Sequence, residues 1–94
     1  MSILIEAHNL VHGDRGEDYG HPLDDFSRTA AIASVLLSGK LKAPLEAEDV
    51  ALFMMAVKLS RIVNKPKRDS VVDLAGYAET FEMVRAERER RAGA

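Results

Sequence analysis

The sequence predicts a single all-α domain built from four helices. Apolar residues recur at helical spacing in four long segments, and no segment shows the strict alternation of a half-buried β-strand. Glycine and proline interrupt the helical pattern at 13–22, at 39–44 and at Pro66, so these positions are expected to separate the helices. The chain, residues 1–94, has no repeat and no linker, and its length suits one domain.

The N-terminal part is predicted to be a helix followed by a loop. Ser2 suits the N-cap of the first helix because its hydroxyl can accept a backbone hydrogen bond, and Gly13 suits the end of that helix. The next segment, GDRGEDYGHP at 13–22, contains several glycines and a proline. Such a composition is typical of loops, so we expect no helix there.

The same signals delimit the other three helices. Pro22 suits the first turn of the second helix, and Gly39 suits its end. Pro44 is well placed to open the third helix. After a break that contains a further proline, the fourth helix is expected to begin at Asp69 or Ser70.

Three features of the predicted third and fourth helices lead to further predictions. Residues 50–57 are apolar on every side of the third helix, and because so short a chain can hardly cover them, we expect a second subunit to pack there. Gly76 lies inside the fourth helix, where glycine costs about 1 kcal/mol relative to alanine, so another helix or a ligand is expected to come close. The charged tail, residues 85–94, is expected to fray.

Composition argues against several classes of protein. The chain contains no cysteine, so a disulfide framework and a thiolate metal site are excluded. Its longest apolar run is far shorter than a membrane span, and its start shows no signal-peptide pattern, so we expect a cytoplasmic protein with no membrane partner. Its net charge of −2 argues against a protein that coats nucleic acid.

Charge is concentrated where the third and fourth helices meet. Lys58 and Arg61 share one side of the third helix, and Asp69 and Asp73 share one side of the fourth. If the helices form an antiparallel hairpin, two cations face two carboxylates. The result is either a salt-bridged seam or a ligand site in which the cations bind phosphates and the carboxylates hold Mg²⁺.

The glycine-rich segment adds candidate ligand contacts. Asp18 offers a further metal-binding carboxylate, and Arg15 and His21 offer contacts to a substrate. Tyr19, together with Tyr77 of the fourth helix, offers a ring that can stack on a base. Loops on helical scaffolds often carry ligand contacts, although a polar connector without function is the alternative.

The histidines are not expected to form a metal site. His12 and His21 lie nine residues apart, which is no established spacing for metal ligands. His8 is expected to face solvent or to cap the first helix.

Three segments resemble small proteins of bacteriophages and prophages. They are GDRGEDYGHPLDDF at 13–26, EDVALFMMAVKLSRI at 48–62 and DSVVDLAGYAE at 69–79, and the resemblance extends over 3–84. More distantly, the chain is similar to MazG-type nucleoside triphosphate pyrophosphohydrolases and to phage nucleotide-modification proteins. This resemblance implies a four-helix, MazG-like bundle completed by homo-oligomerisation into a dimer or tetramer.

The resemblance also implies a reaction. MazG-type enzymes use carboxylates on two successive helices to bind Mg²⁺ and cleave a nucleotide to its monophosphate and pyrophosphate. The resemblance implies that Asp69 and Asp73 bind the metal and act in catalysis. Lys58 and Arg61 are then expected to bind the phosphates. The chain departs from the pattern on the first of these helices, where Met54 and Lys58 stand in place of acidic residues. The missing carboxylates would then come from Asp14, Asp18, Asp24 or Asp25.

Three functions remain open at this stage. The preferred one is Mg²⁺-dependent release of pyrophosphate from a nucleoside triphosphate. The second is a nucleotide-binding module without turnover, which would account for the incomplete carboxylate set. The third is a protein-interaction protein in which the charged residues of the hairpin are purely structural.

Overall fold

The computed structural model describes residues 1–13 and 15–93, apart from the side chain of Arg15. This part of the chain forms five α-helices, which are α1 (Ile3–His12), α2 (Arg15–Tyr19), α3 (Pro22–Leu36), α4 (Ala47–Asn64) and α5 (Arg68–Gly93). It contains no β-strand. The predicted all-α class is therefore confirmed, whereas the predicted count of four helices is wrong.

The additional helix lies in the segment that we predicted to be a loop. Glu17 and Asp18 occupy the first turn of α2, where the positive end of the helix dipole favours carboxylates. Of the glycines that the structure describes, only Gly20 has a positive φ, at 76°, a conformation that other residues rarely adopt. The loop prediction failed because most of these glycines do not occupy backbone conformations that require glycine.

The starts of α1 and α3 agree with the sequence signals. The Ser2 hydroxyl accepts a hydrogen bond of 3.1 Å from the Ile5 amide and caps α1 as predicted. Pro22 opens α3 as predicted, and the cap is His21, whose Nδ1 accepts a hydrogen bond of 3.0 Å from the Leu23 amide. The imidazole thus satisfies one of the free backbone donors at this helix end.

α3 ends at Leu36, three residues before the predicted stop at Gly39. Ser34 accounts for this early end. Its hydroxyl donates to the Ala30 carbonyl at 2.7 Å and accepts from the Leu45 amide at 2.8 Å. These bonds draw the following segment back across the last turn of α3.

α4 begins at Ala47, and the prediction that Pro44 opens it is wrong. The helix starts directly after Glu46, whose backbone amide donates a hydrogen bond of 2.8 Å to the Asp49 carboxylate. This bond belongs to a capping box.

α5 lies at the centre of the fold and packs against α1, α3 and α4. Four buried residues recur along it at intervals of four, Val72, Gly76, Thr80 and Val84. Val84 joins the main core cluster, which also contains Leu23, Phe26, Ala47 and Ala51. Most of these residues are small or short, so the helix axes can approach one another closely.

The C-terminal part of α5 contacts two other helices, and the expected fraying of residues 85–94 stays a prediction. α5 continues to Gly93. Arg88 lies 2.6 Å from a Glu48 oxygen on α4, and Arg91 contacts the two Asp24 oxygens on α3 at 2.7 and 3.0 Å. The alternating charge that suggested a solvated tail therefore supplies contacts to two other helices.

The apolar segment 50–57 of α4 is covered on only one side. Ala51 is fully buried, whereas the side chains of Leu52 and Phe53 are 51% and 68% exposed. A single chain thus leaves this surface open, as expected, and the second subunit remains a prediction. In the part of the chain that the structure describes, no helix is both long and apolar enough to cross a membrane.

We expect the docked end of α5 to detach in acid. Hydrogen bonds from Arg90 and then Arg91 lower the pKa of Glu87 to about 2, and a hydrogen bond from Arg91 lowers the pKa of Asp24. A carboxyl with a lowered pKa stabilises the fold above its ordinary pKa and loses that contribution as it protonates. Glu87 pairs with arginines of its own helix, so detachment depends on Asp24, whose contact with Arg91 joins α5 to α3. Backbone chemical shifts of residues 89–93 should therefore report detachment as the pH falls below 3.8, the ordinary pKa of this carboxyl.

Two arginine variants form the control for this prediction. Arg91→Gln should free residues 89–93 already at neutral pH because it removes the contact with α3, while Arg88 still pairs with Glu48. Arg85→Gln should leave them docked, since Arg85 pairs with Glu82 inside the same helix. Identical chemical shifts in wild type and Arg91→Gln would show that the arginine does not hold the segment.

Candidate functional site

The hairpin of α4 and α5 brings the charged residues of these helices together. Glu48 near the start of α4 contacts Arg88 near the end of α5, and Lys58 near the end of α4 contacts Asp73 near the start of α5. The two helices are therefore antiparallel, and only residues 65–67 connect them. The predicted hairpin is confirmed.

Lys58 and Asp73 form the central ion pair of this hairpin. Lys58 lies two turns after Ala51, on the side of α4 that packs into the fold, and only 13% of its side chain is exposed. Its Nζ lies 2.9 Å from Asp73 Oδ2, and the aspartate side chain is 40% exposed. The carboxylate thus keeps contact with water, whereas the ammonium group depends on the carboxylate for its counter-charge.

Arg61 and Asp69, the other two residues of the predicted charged seam, do not pair with each other. Both residues are exposed, and neither makes an ion pair with any other described residue. Asp69 lies in the first turn of α5, closer to the tip of the hairpin than Asp73. Water therefore hydrates both groups, and the prediction of two facing pairs is half correct.

The charged residues line an open cavity at the tip of the hairpin, which we call the hairpin groove. Its volume is about 630 Å³. The ionic side chains that line it are Lys58, Arg61, Lys65, Lys67, Asp69 and Asp73. Lys65 and Lys67 lie in the segment between the helices, where no helical spacing marks them as members of the groove.

A second cavity, the tyrosine cleft, lies between α1, α2 and α5. Its volume is about 580 Å³, and Asp18, Tyr19, Asp73 and Tyr77 line it together with residues of α1. Tyr77 packs against the core cluster, and Tyr19 is 53% exposed. Both predicted base-stacking residues therefore line the same cavity.

The close approach of α1 to α5 shapes this cleft. A Cβ atom at Gly76 would lie 3.4 Å from Cγ2 of Val11 on α1. The predicted close approach at Gly76 is thus confirmed, and the neighbour is a helix. α2, which carries Tyr19, contacts α1 and α3.

Asp73 lines both cavities, and the other two predicted metal ligands are divided between them. Asp69 lines the groove, and Asp18 lines the cleft. Among the described residues, these three carboxylates do not converge as ligands of one ion. A ligand that extends from the groove into the cleft would pass Asp73.

Three further candidate residues of the glycine-rich segment, Asp14, Arg15 and His21, are not among the described residues that line the groove or the cleft. Asp14 and the side chain of Arg15 lie outside the described residues. His21 caps α3 through Nδ1 and lines a smaller cavity of about 170 Å³ beside Tyr19. Its contact with a substrate remains a prediction.

The other acidic candidates form ion pairs away from the hairpin groove. Asp24 and Glu48 pair with Arg91 and Arg88 near the end of α5, and Asp25 lies near an arginine of its own helix. The expectation that α3 supplies the carboxylates missing from the middle of α4 is therefore wrong for Asp24 and Asp25.

Residues 2–93 match the family described as domain of unknown function DUF6378. The chain belongs to the DUF6378 family. It is 40% identical over 84 residues to the Gene 55 protein of Mycobacterium phage D29. The aligned residues make up 88% of this chain and 53% of that protein. The chain is 35% identical over 92 residues to the Gene 55 protein of Mycobacterium phage L5, with coverages of 97% and 57%.

The two Gene 55 relatives confirm the predicted resemblance to phage proteins. The chain spans about half the length of the curated relatives that it matches. No solved structure matches it.

The unequal exposure of Lys58 and Asp73 predicts unequal effects on stability. Lys58→Met keeps the aliphatic stem and leaves a carboxylate that water can hydrate, so the free energy of unfolding should fall by at most about 1 kcal/mol. Asp73→Asn leaves a largely buried ammonium group without its counter-charge and should cost roughly 1–3 kcal/mol. Urea unfolding followed by circular dichroism measures both.

Asp69→Asn is the matched control because it makes the same change at an exposed carboxylate outside any ion pair. We expect its free energy of unfolding to stay within about 0.5 kcal/mol of wild type. A larger loss for Lys58→Met than for Asp73→Asn would mean that the lysine does not depend on the aspartate.

Proposed function

We propose that the protein binds a nucleoside triphosphate across the hairpin groove and the tyrosine cleft and releases pyrophosphate from it with the help of Mg²⁺. The supporting observation is that a basic groove and an aromatic cleft open on either side of Asp73. A nucleotide has the same two parts, a polyphosphate and a planar base. The resemblance to MazG-type pyrophosphohydrolases points to the same class of ligand.

The charge of the groove favours a polyphosphate. Lys58 and Asp73 neutralise each other, which leaves Arg61, Lys65 and Lys67 against the single carboxylate of Asp69. An excess of cations in a concave surface attracts anions. The arginine can make a two-pronged contact with one phosphate, while the lysines act as point charges.

The cleft offers a place for the base and the sugar. Its volume lies in the range of about 300–1,000 Å³ that is usual for small-molecule sites. Tyr77 is held by the core and Tyr19 is more exposed, so a base between them would have one fixed and one adjustable aromatic neighbour. Stacking on aromatic rings tolerates any base, so the cleft does not select one.

The carboxylates fit Mg²⁺ that arrives with the nucleotide. Mg²⁺ in nucleotide sites is usually held by one or two carboxylates together with substrate phosphates and waters. Asp73 and Asp69 at the groove would hold it together with the phosphates, whereas the predicted ligand Asp18 lines the cleft and would have to move to join them. Because the groove carries excess positive charge without a ligand, Mg²⁺ alone should bind only weakly. When bound with the nucleotide, the ion would neutralise negative charge on the phosphates.

The proposed reaction is hydrolysis at the α-phosphorus. A water molecule adds to this phosphorus while the bond to the oxygen that bridges to the β-phosphorus breaks. Pyrophosphate leaves, the nucleoside monophosphate remains, and the proton of the water passes to the Asp73 carboxylate and then to solvent. The cations of the groove stabilise the charge that develops on the leaving pyrophosphate.

One observation favours a binding module without turnover as the second candidate. The middle of α4 contains Met54 and Lys58 where MazG-type enzymes have carboxylates, and no acidic residue of α3 lines the groove. A site with fewer metal ligands can still hold a nucleotide through Arg61 and the lysines. A pure interaction protein remains the third candidate.

We also propose that a second copy of the chain covers the outer side of α4. The exposed residues Leu52, Ala56, Leu59 and Val63 follow a heptad spacing along this helix. Such a stripe can pack against its own copy in a symmetric pair of helices. The resemblance to MazG-type proteins implies the same kind of assembly.

The catalytic proposal predicts that Asp73→Asn lowers pyrophosphate release by roughly 100-fold or more. The assay follows pyrophosphate from a panel of purine and pyrimidine ribo- and deoxynucleoside triphosphates with Mg²⁺. Glu82→Gln is the control, since Glu82 is an exposed carboxylate on α5 that pairs with Arg85. Equal turnover by Asp73→Asn and wild type would remove Asp73 from the mechanism.

Calorimetry and thermal melting separate the three candidate functions. Hydrolysis requires nucleotide binding that Mg²⁺ strengthens, together with pyrophosphate release. Binding that is indifferent to Mg²⁺ and yields no pyrophosphate identifies the binding module. If no triphosphate in the panel binds or raises the melting temperature, the nucleotide proposal is wrong and the interaction protein is favoured.

The assembly proposal predicts that Leu59→Glu lowers the molecular mass in solution. Light scattering should show a dimer or a larger oligomer for wild type and a monomer for the variant, because a buried carboxylate without a partner opposes association. Leu4→Glu makes the same change at an exposed leucine on α1 and should leave the mass unchanged. A monomeric wild-type protein would contradict the proposal.

A further inference from the structure

A separate group of metal-ligand side chains lies where α1 packs against α5. His8 and His12 are one turn apart on α1, and their rings stack with centroids 4.3 Å apart. Glu79 on α5 presents one oxygen to both, since Oε2 lies 3.5 Å from His8 Nδ1 and 3.1 Å from His12 Nε2. We call these three residues the histidine cluster, and none of them lines the hairpin groove or the tyrosine cleft.

From this geometry we infer that the histidine cluster binds one divalent transition metal ion of the Zn²⁺ class. Zn²⁺ binds imidazole nitrogen and carboxylate oxygen at about 2.0–2.2 Å, so two donors on a tetrahedral ion are roughly 3.3–3.5 Å apart. The two measured nitrogen–oxygen distances already lie close to this range. All three donor atoms lie within 4.8 Å of one another, so small side-chain rotations bring both nitrogens to one ion.

The chemistry of the donors selects the metal class. Imidazole nitrogen suits Zn²⁺, Ni²⁺, Cu²⁺ and Fe²⁺, whereas Mg²⁺ prefers oxygen ligands only. Two histidines four residues apart on one helix are an established arrangement for zinc. Three protein ligands leave one position for water, and the side chain of His8 is 60% exposed, so an ion can reach the site from solvent.

The packing of α1 against α5 holds the three ligand residues in place without the metal. Arg68 at the start of α5 pairs with Glu6 on α1 and donates to the Met1 carbonyl at 2.9 Å. Ala7, which follows Glu6 directly, is buried, and Val11 packs at Gly76. The part of α1 that carries the histidines is therefore fixed against the part of α5 that carries Glu79.

The same three side chains can also pair without a metal. In the tautomers that turn an N–H of His8 and of His12 toward Glu79, the carboxylate accepts a hydrogen bond from each ring. In the other tautomers the three lone pairs point at a common position and can bind a cation, so a metal titration distinguishes the two arrangements.

The test is titration of the full chain with Zn²⁺, Co²⁺ or Mg²⁺ as the only added metal. We expect one Zn²⁺ per chain, a rise in melting temperature, weaker binding at acidic pH because protons compete for the nitrogens, and no binding of Mg²⁺ at this site. Bound Co²⁺ should show the intense visible absorption of a tetrahedral site. This spectrum is read on the wild type and does not depend on the folding of any variant.

Four variants locate the site. His8→Asn, His12→Gln and Glu79→Gln should each weaken Zn²⁺ binding by about tenfold or more. His21→Asn is the matched control, since it removes the remaining histidine of the chain and asparagine is a good N-cap. The inference is overturned if wild type binds no Zn²⁺, if the three cluster variants bind as tightly as wild type, or if His21→Asn abolishes binding.

Discussion

The close packing of three helices around α5 is the constraint on which the rest of the structure depends. Short residues at intervals of four give α5 one narrow buried face, and the close contact with α1 is at Gly76. The buried hydroxyl of Thr80 donates to the Gly76 carbonyl at 2.9 Å, so this polar group is satisfied inside the fold. Larger side chains on this face would separate α1 from α5 and would widen the cleft between them.

A core of short residues has a consequence for the outer surface. The chain contains many large apolar residues, and a narrow core does not hold them all, so Ile32, Leu36, Phe53 and Val63 remain largely exposed. A small domain already buries a modest share of its apolar surface. The fold of one chain therefore leaves an unusually apolar exterior on α3 and α4, while the ionic groups collect at the hairpin tip and on α5.

Local signals in the sequence predicted the features that depend on neighbouring residues. Helical spacing located four helices, Ser2 and Pro22 marked two starts, and the spacing of Lys58 and Asp73 on successive helices was enough to predict their contact. The resemblance to phage proteins also followed from short segments.

Contacts between distant parts of the chain were not predictable in this way. His12 and Glu79 are 67 residues apart, as are Arg91 and Asp24, and neither pair follows a local spacing. The spacing of His8 and His12 on one helix was a local signal that was not considered, whereas the third ligand, Glu79, comes from another helix and follows no local spacing. The early end of α3 was missed for the same reason, since it depends on a bond between Ser34 and Leu45.

The structural and functional interpretations of the hairpin charges do not exclude each other. The ammonium of Lys58 is largely buried and needs a counter-charge wherever the chain functions, so its pair with Asp73 stabilises the hairpin without any ligand. The same pair fixes the Asp73 carboxylate at the point where the groove and the cleft meet. The groups that distinguish the two interpretations are Arg61, Lys65 and Lys67. Their three charges exceed the single remaining carboxylate of the groove, and a seam that served stability alone would have no need of this excess.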